Sequence, residues 1–504
     1  MRQRFINPNV VSIEAMNATI SRLASEAEVS LEFSPEALAE AQAAPRHFPH
    51  LLDRTDLPFV TIDPEGSRDL DQAVFIDSTD GLRVHYAIAA VGLFVEPGGA
   101  LDREVRERAT TIYLPDRSIP LHPEVLSANA ASLLPGVVRP AYLWTFDVDE
   151  RGHVTQTNLE LVQIRSRAQL TYDQVQAAYD GASFLPVNVP QDLPDMLARV
   201  GRLREVLERE RGGVSLDLPE QRVDRGDHGF RLSFRQLTDV EGWNSQLSLM
   251  TGMEAAKIML EGNIGILRTL PPARAKDVDR LRAVATGLGL MWNDDDDYPA
   301  FIRSINSREP AALAFMHEAV TLFRGAGYVA LPAEGKEDAA LFHNAIAAPY
   351  AHATAPLRRL VDRFVLELCR CLLNGEEIAQ WVLDALLELP KAMGNGTRIA
   401  NTLENRAIEA VEALTLQGRE GEEFTGVVVD RLKANGEPGE RGVVSIADPA
   451  LEAVVSADHV PVGERVRVRL VSIGEDLTVH FELIERIGAR KSQLYAGSFD
   501  ANTD

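Results

Sequence analysis

Fifteen residues, Phe59 to Ala73, constrain this chain more than any others. The β-branched run Val60-Thr61-Ile62 reads as a short strand, and Pro64-Glu65-Gly66, directly after Asp63, reads as a turn. Asp69 and Asp71 are two apart, so in extended backbone both face one side while Leu70 faces the other. The turn can fold Asp63 back beside them. Three like charges repel unless a cation sits between them, and hard oxygen-binding ions such as Mg²⁺ or Mn²⁺ do this. Carboxylates that hold such an ion against a phosphate are the usual apparatus of metal-assisted phosphodiester chemistry. By spacing alone, the same run more commonly forms a solvated acidic turn.

Around that segment the chain reads as α+β, with sheet early and helices enclosing it. Residues 1–55 are helical in pattern: Ile13, Met16, Ile20 and Leu23 keep a helical period, and Ser34-Pro35 opens a second helix. A helix-turn-helix-like unit fits there. A core domain is expected over 56–418, with an alternating strand at Leu82–Ile88 and a hairpin from Tyr142–Val148 to Val154–Ile164. Helices are expected at 171–179, 193–211, 243–268, 277–288, 310–324, 356–374 and 396–417. Five β-rich runs between 419 and 487, some separated by turns such as Asn435–Gly439, are the pattern of an OB-fold barrel. Residues 488–504 read as a polar, mobile tail.

The net charge of −24 argues against a whole-surface nucleic-acid binder. It leaves room for a local basic channel, because a threaded single strand needs positive charge only along its phosphates. Cys369 and Cys371 form neither a disulfide framework nor a metal-ligand spacing, which fits a reducing cytoplasm. Met1 to Met16 has no signal-peptide core, and no segment approaches roughly 18 uninterrupted apolar residues, so neither export nor a membrane span is expected.

The string from Thr61 to Ala73 resembles the signature of the RNB (ribonuclease II / RNase R) family, TIDP-x-x-A-x-D-x-D-D-A, with Asp63, Asp69 and Asp71 on its first three acidic positions. A second block, Tyr350 to Arg363, is similar to the family's Y-x-H-x-T-S-P-I-R-R-Y-x-D. Thr354 or Ala355-Pro356 is expected to open a helix whose N-terminus favours anions. Arg358 and Asp362 are four apart, so the carboxylate can hold the guanidinium; the same pattern also suits an ordinary capping turn with surface ion pairs. Ala109 to Pro115 resembles R-G-T-S-V-Y-L-P, in which the tyrosine, here Tyr113, stacks on the terminal base; a half-buried core tyrosine would read the same way. Glu404, within Asn401–Ala407, resembles the glutamate of the family's A-E-R helix and equally suits a solvated helix face.

The resemblance implies an RNB core followed by an OB-fold that binds single-stranded RNA. It implies a Mg²⁺-dependent hydrolytic 3′-to-5′ exoribonuclease, with Mn²⁺ as a substitute, releasing nucleoside 5′-monophosphates. Asp63, Asp69, Asp71 and Gln72 would hold the metal, and Asp71, Arg358 and Glu404 would serve the chemistry. Tyr113, Arg358 and Arg359 would contact RNA. No small-molecule cofactor is expected, and a monomer is. Three departures support an alternative, a catalytically impaired RNA-binding regulator on the same scaffold. Gln72 replaces the fourth carboxylate, although its amide oxygen can still ligate. Ala90 stands where the family has the aspartate of I-A-D-V. Leu247 to Met253 lacks the Glu and Asn of E-F-M-L-L-A-N. The run Asp294–Asp297 lacks the spaced ligands and glycine of an EF-hand and reads as a solvated loop. The histidines show no H-E-x-x-H pair, so zinc chemistry has no support.

Overall fold

The structure is a computed structural model that describes residue 11 and residues 13–487, except 80, 116, 216–219, 227–228, 306–308, 334–337, 433–438 and 475. The expected tail and most of the Asn435–Gly439 turn lie outside the described residues. Five strands form the central sheet: β1 (Leu52–Asp53), β2 (Gln72–Asp77), β3 (Leu82–Ala89), β4 (Val138–Val148) and β5 (Val154–Arg165), in the order β1-β5-β4-β3-β2. Neighbours are antiparallel except β1, which runs parallel to β5. The sheet therefore takes in Leu52–Asp53, slightly before the expected start of the core at 56. From Val84 to Ala89, β3 is buried on both faces, with Trp144 and Phe146 of β4 stacked 5.6 Å apart in the same core.

The helices of the described residues include α1 (Ile13–Glu26), α2 (Pro35–Ala43), α3 (Asp239–Glu261), α4 (Leu360–Asn374) and α5 (Leu389–Leu416). Ser34 caps α2, its hydroxyl accepting from Ala37 N–H with Pro35 in the first turn. The expected helix-turn-helix is not formed. Ala37 and Ala41 of α2 bury in the main core near Ala100–Arg108, whereas Met16, Ile20 and Leu23 of α1 bury in a second core with α5. The helix expected to run to 268 ends at Glu261, because Asn263 and Gly265 take positive φ and the chain leaves as a strand, Gly265–Thr269. Gly265 also admits the Met259 side chain, which would stand 2.3 Å from an added Cβ. A hairpin, Glu220–Gly226 with Gly229–Arg235, was not anticipated.

The barrel is present as expected: β6 (Glu423–Arg431), β7 (Glu440–Ala447), β8 (Ala450–Ala457), β9 (Arg465–Ile473) and β10 (Val479–Arg486) close in the order β6-β7-β8-β10-β9. Its interior continues into α5, where Leu403, Ala407 and Ala410 share one apolar cluster with Val428, Val466 and Phe481. Among the described residues no helix is long and apolar enough to cross a membrane.

Candidate active site

Thr61–Asp63 pairs in parallel with Gln169–Thr171, and Val60 bridges Val74 of β2, which fixes Asp63 beside the sheet. Gly66 turns the chain at φ 82°. Leu70 is then buried outright, its N–H on Ser132 Oγ (3.0 Å) and its carbonyl on Leu133 N–H (3.0 Å). Burying Leu70 in this way turns Asp69 and Asp71 towards the opposite side.

Distant segments meet there. Asp71 Oδ1 accepts the Leu357 N–H at 2.7 Å, and Asp71 Oδ2 lies 3.8 Å from Arg358 Nε. Asp69 accepts the Tyr113 hydroxyl at 3.0 Å, while the Tyr113 backbone N–H donates to Glu404 of α5 at 2.8 Å. Tyr113 as a whole residue is 47% exposed. The Arg358 side chain is 44% exposed. A cleft of about 410 Å³ opens between Arg68, Asp69, Tyr113 and Glu124. A second, of about 400 Å³, runs along α5 between Arg268, Tyr328, Arg398, Asn401 and Asn405, and its described lining contains no carboxylate. A third cavity, about 750 Å³ beside Ala100–Arg108, includes none of the site residues.

Burial and then the nearby Asp69 push the Asp63 carboxyl up to about 7, against the pull of Arg358. Asp63 Oδ2 is buried without a hydrogen-bond partner. Burial likewise drives Asp71 well above the ordinary carboxylate range, offset by Arg358 and the Leu357 N–H. Glu404 is also raised by burial. Carboxyls in this state hold protons unless a cation replaces them, and the orphaned oxygen is a donor waiting for one. Among the described residues no three Asp, Glu, His or Cys side chains already close around a point. Mg²⁺ commonly takes one or two carboxylates and completes its shell with water and substrate phosphate. The donor set fits an ion of that kind.

Comparison with known proteins places the chain in a family. The RNB domain matches residues 52–375, and the RNase II-type exonuclease C-terminal S1 domain matches residues 422–473. The chain belongs to the RNB family. It is 29% identical to Ribonuclease R of Aquifex aeolicus over 90% of this chain and 68% of that protein. It is 28% identical to Ribonuclease R of Escherichia coli over 65% of this chain, spanning only 41% of that relative. A solved structure of Mycoplasma genitalium RNase R with ribose-methylated single-stranded RNA shares the fold at TM-score 0.83, 20% identity, 94% of this chain and 78% of that one. Yeast Ssd1, described as a pseudonuclease, shares it at TM-score 0.66, 14% identity, 91% and 58%.

Within this RNB chain, several expected partnerships are redrawn. Asp362 does not hold Arg358. It grips Arg359 by Nε (2.9 Å) and a terminal nitrogen (2.7 Å), and it accepts the N–H groups of Thr354 (2.8 Å) and Ala355 (2.7 Å). Because that carboxylate captures the two amides, no helix opens at Thr354–Pro356; α4 starts at Leu360. Arg359, 16% exposed, thus braces the loop instead of offering itself to RNA. Gln72 has both ends of its amide engaged: Nε2 donates to Thr354 O at 2.8 Å and Oε1 accepts the Tyr86 hydroxyl at 2.6 Å. Tyr86 and its neighbour Ser248 were missed by sequence reasoning, as was Tyr328, which bonds His352 Nδ1 at 2.8 Å. The only sequence signal for Tyr86 is position within the strand Leu82–Ala89, and for Ser248 position within the block Leu247–Met253, while Tyr328 lies in the strand Gly327–Leu331, which no motif marked. The aspartate run proves structural: Asp297 caps the helix Tyr298–Ser304, and the Asp296 carbonyl accepts from Trp292.

Proposed function

We propose that this chain is a divalent-metal-assisted exoribonuclease that hydrolyses single-stranded RNA from its 3′ end to nucleoside 5′-monophosphates. The observation that carries the reading is the meeting of Asp63, Asp69 and Asp71 with Arg358, where buried carboxyls and an orphaned Asp63 oxygen call for a cation. Mg²⁺, with Mn²⁺ as a substitute, would draw in Asp63, Asp69 and Asp71, which do not yet close around one point, and would supply an activated water and offset charge on the leaving oxygen. Arg358, half-exposed and tethered towards Asp71, meets the phosphate with a planar fork of donors. Tyr113 stacks on the last base, its hydroxyl leashed to Asp69 and its backbone to Glu404. The carboxylate-free cleft along α5 accepts the strand behind it, because phosphates avoid an otherwise acidic body.

A non-catalytic RNA-binding regulator is the second reading, favoured by Gln72 and Ala90 standing where carboxylates are expected. Digestion of a 5′-labelled single-stranded RNA with Mg²⁺, Mn²⁺ or EDTA separates the two. A metal-dependent ladder ending in a short limit product supports the nuclease. RNA that stays intact yet is retained in a binding assay supports the regulator.

A further inference from the structure

We infer that Gln72 is a positioning residue that pins the Thr354–Arg358 loop against the carboxylates, and is not a weakened metal ligand; this rests on the nuclease reading. The Thr354 carbonyl can only accept a hydrogen bond, so the nitrogen end of the Gln72 amide must face it and the oxygen end must face Tyr86. Tyr86 spends its one proton on Gln72, so Ser248, 2.9 Å away, donates to Tyr86 in turn. The relay Ser248–Tyr86–Gln72–Thr354 is therefore directional, with each donor matched to an acceptor. Strand register explains the contact with Tyr86: Gln72 pairs with Ile88 and Val74 pairs with Tyr86, which makes Gln72 and Tyr86 diagonal neighbours on one face.

A carboxylate at position 72 could not complete this relay. It has no proton for the Thr354 carbonyl and would set an anion against that oxygen. The amide is thus suited to a task that the family's aspartate would not perform here.

The loop that carries Arg358 is largely buried and tied at several points, among them His122 Nδ1, 3.2 Å from the Leu357 carbonyl. Asp362 takes the amides of Thr354 and Ala355, and Gln72 takes the Thr354 carbonyl. Asp71 takes the Leu357 amide, and the Thr110 hydroxyl and Thr111 N–H hold the Arg358 carbonyl at 3.0 Å each. Consecutive residues, Asp71 and Gln72, thus clamp the loop at two places three residues apart. Losing the Gln72 bond leaves the Thr354 carbonyl unheld while Asp362 keeps its amide, so the loop loosens at that point and the placing of Leu357 and Arg358 becomes less exact.

Three variants test this: Gln72→Glu, which keeps the length and loses the donor; Gln72→Asp; and Tyr86→Phe, which loses only the phenol oxygen. In protein free of metal and RNA, amide hydrogen exchange across Thr354–Arg358 should quicken about tenfold in Gln72→Glu and less in Tyr86→Phe. The rest of the central sheet should stay protected. With saturating Mg²⁺ and single-stranded RNA, kcat should fall about tenfold or more in Gln72→Glu, while KM and the half-saturating Mg²⁺ concentration stay at wild-type values. Wild-type loop protection in Gln72→Glu would overturn the inference. So would a several-fold lower Mg²⁺ requirement in Gln72→Asp, the signature of a ligand position. If no protein, wild type included, cleaves RNA, the nuclease reading fails and the exchange result alone decides whether Gln72 positions the loop.

Discussion

Asp71 is buried and bonded to a backbone amide, and it lies well above the ordinary carboxylate range because burial penalises its charge, which a proton or a cation relieves. Asp71→Asn should abolish cleavage in the RNA ladder assay while leaving RNA affinity nearly unchanged, since one ligand charge goes and the cationic groups stay. A carboxyl whose folded-state pKa is raised costs stability above its unfolded value, near 4. The same variant should therefore have a higher Tm than wild type in EDTA at neutral pH; a lower one would refute the electrostatic account. Tyr113 separates by chemistry as well. Tyr113→Phe keeps the stacking face and loses the bond to Asp69, whereas Tyr113→Ala should cost ~1–3 kcal/mol of short-strand affinity, measured by direct titration. At this scale spacing was informative about direction: with Leu70 buried, Asp69 reaches Tyr113 and Asp71 reaches Leu357 and Arg358. It was uninformative where a side chain chooses between adjacent partners: Asp362 could reach Arg358 or Arg359, and only the non-helical loop settles which.

Secondary-structure elements were legible wherever their period was long and uninterrupted, and their ends were not. The five barrel strands appeared where alternation placed them. The end of α3 and the start of α4 moved, because Gly265 in one case and the Asp362 carboxylate in the other decide locally. Helix α5 begins at Leu389, earlier than its pattern indicated, since Gly394 and Gly396 dilute the signal. Gly396 has a purpose, as a Cβ there would stand 2.6 Å from Ala109 Cβ, beside the strand that carries Tyr113. The seam between α5 and the barrel yields a test. Glu412 Oε1 accepts from Gln221 Nε2 (2.8 Å) and Glu452 N–H (3.0 Å), and burial pushes its carboxyl up to about 7, with Glu452 and Glu409 adding to the rise. Glu452 in turn faces His317 at 3.2 Å. With the folded pKa above the unfolded one, stability falls as pH climbs from about 4 to about 7 and then levels. Gln at 412 keeps an oxygen for both donors without the charge. Glu412→Gln should raise Tm at pH 8, by at most roughly 3 kcal/mol of stability at 1.36 kcal/mol per unit, and the gain should shrink as pH falls towards 5. Equal Tm values across that range would mean that Glu412 is not strained.

For the whole molecule, charge and burial limit where the proposed RNA strand would lie. The barrel pattern implies a stacking platform, yet the only Phe, Tyr or Trp residues in 419–487 are Phe424 and Phe481, both buried. Two of its arginines are committed: Arg469 bonds Glu423 (2.9 Å) and Glu482 (3.0 Å), and Arg467 faces Glu485 at 3.1 Å. Removing the barrel would in addition strip the cover from Leu403 and Ala407 of α5, so truncation confounds binding with folding. Single substitutions are cleaner. Arg398 lines the carboxylate-free cleft on the helix that holds Glu404, so a strand entering the site would neutralise phosphate there. Arg398→Gln should weaken binding of every single-stranded sequence alike and flatten the plot of log affinity against log salt by about 0.7, the counterion released per neutralised phosphate on a single strand. Arg469→Gln should leave that slope unchanged, because its charge is already spent on two glutamates. Both slopes come from the same fluorescence titrations over a range of salt. A flatter slope for Arg469→Gln with none for Arg398→Gln would move the strand from the cleft along α5 to the face of the barrel.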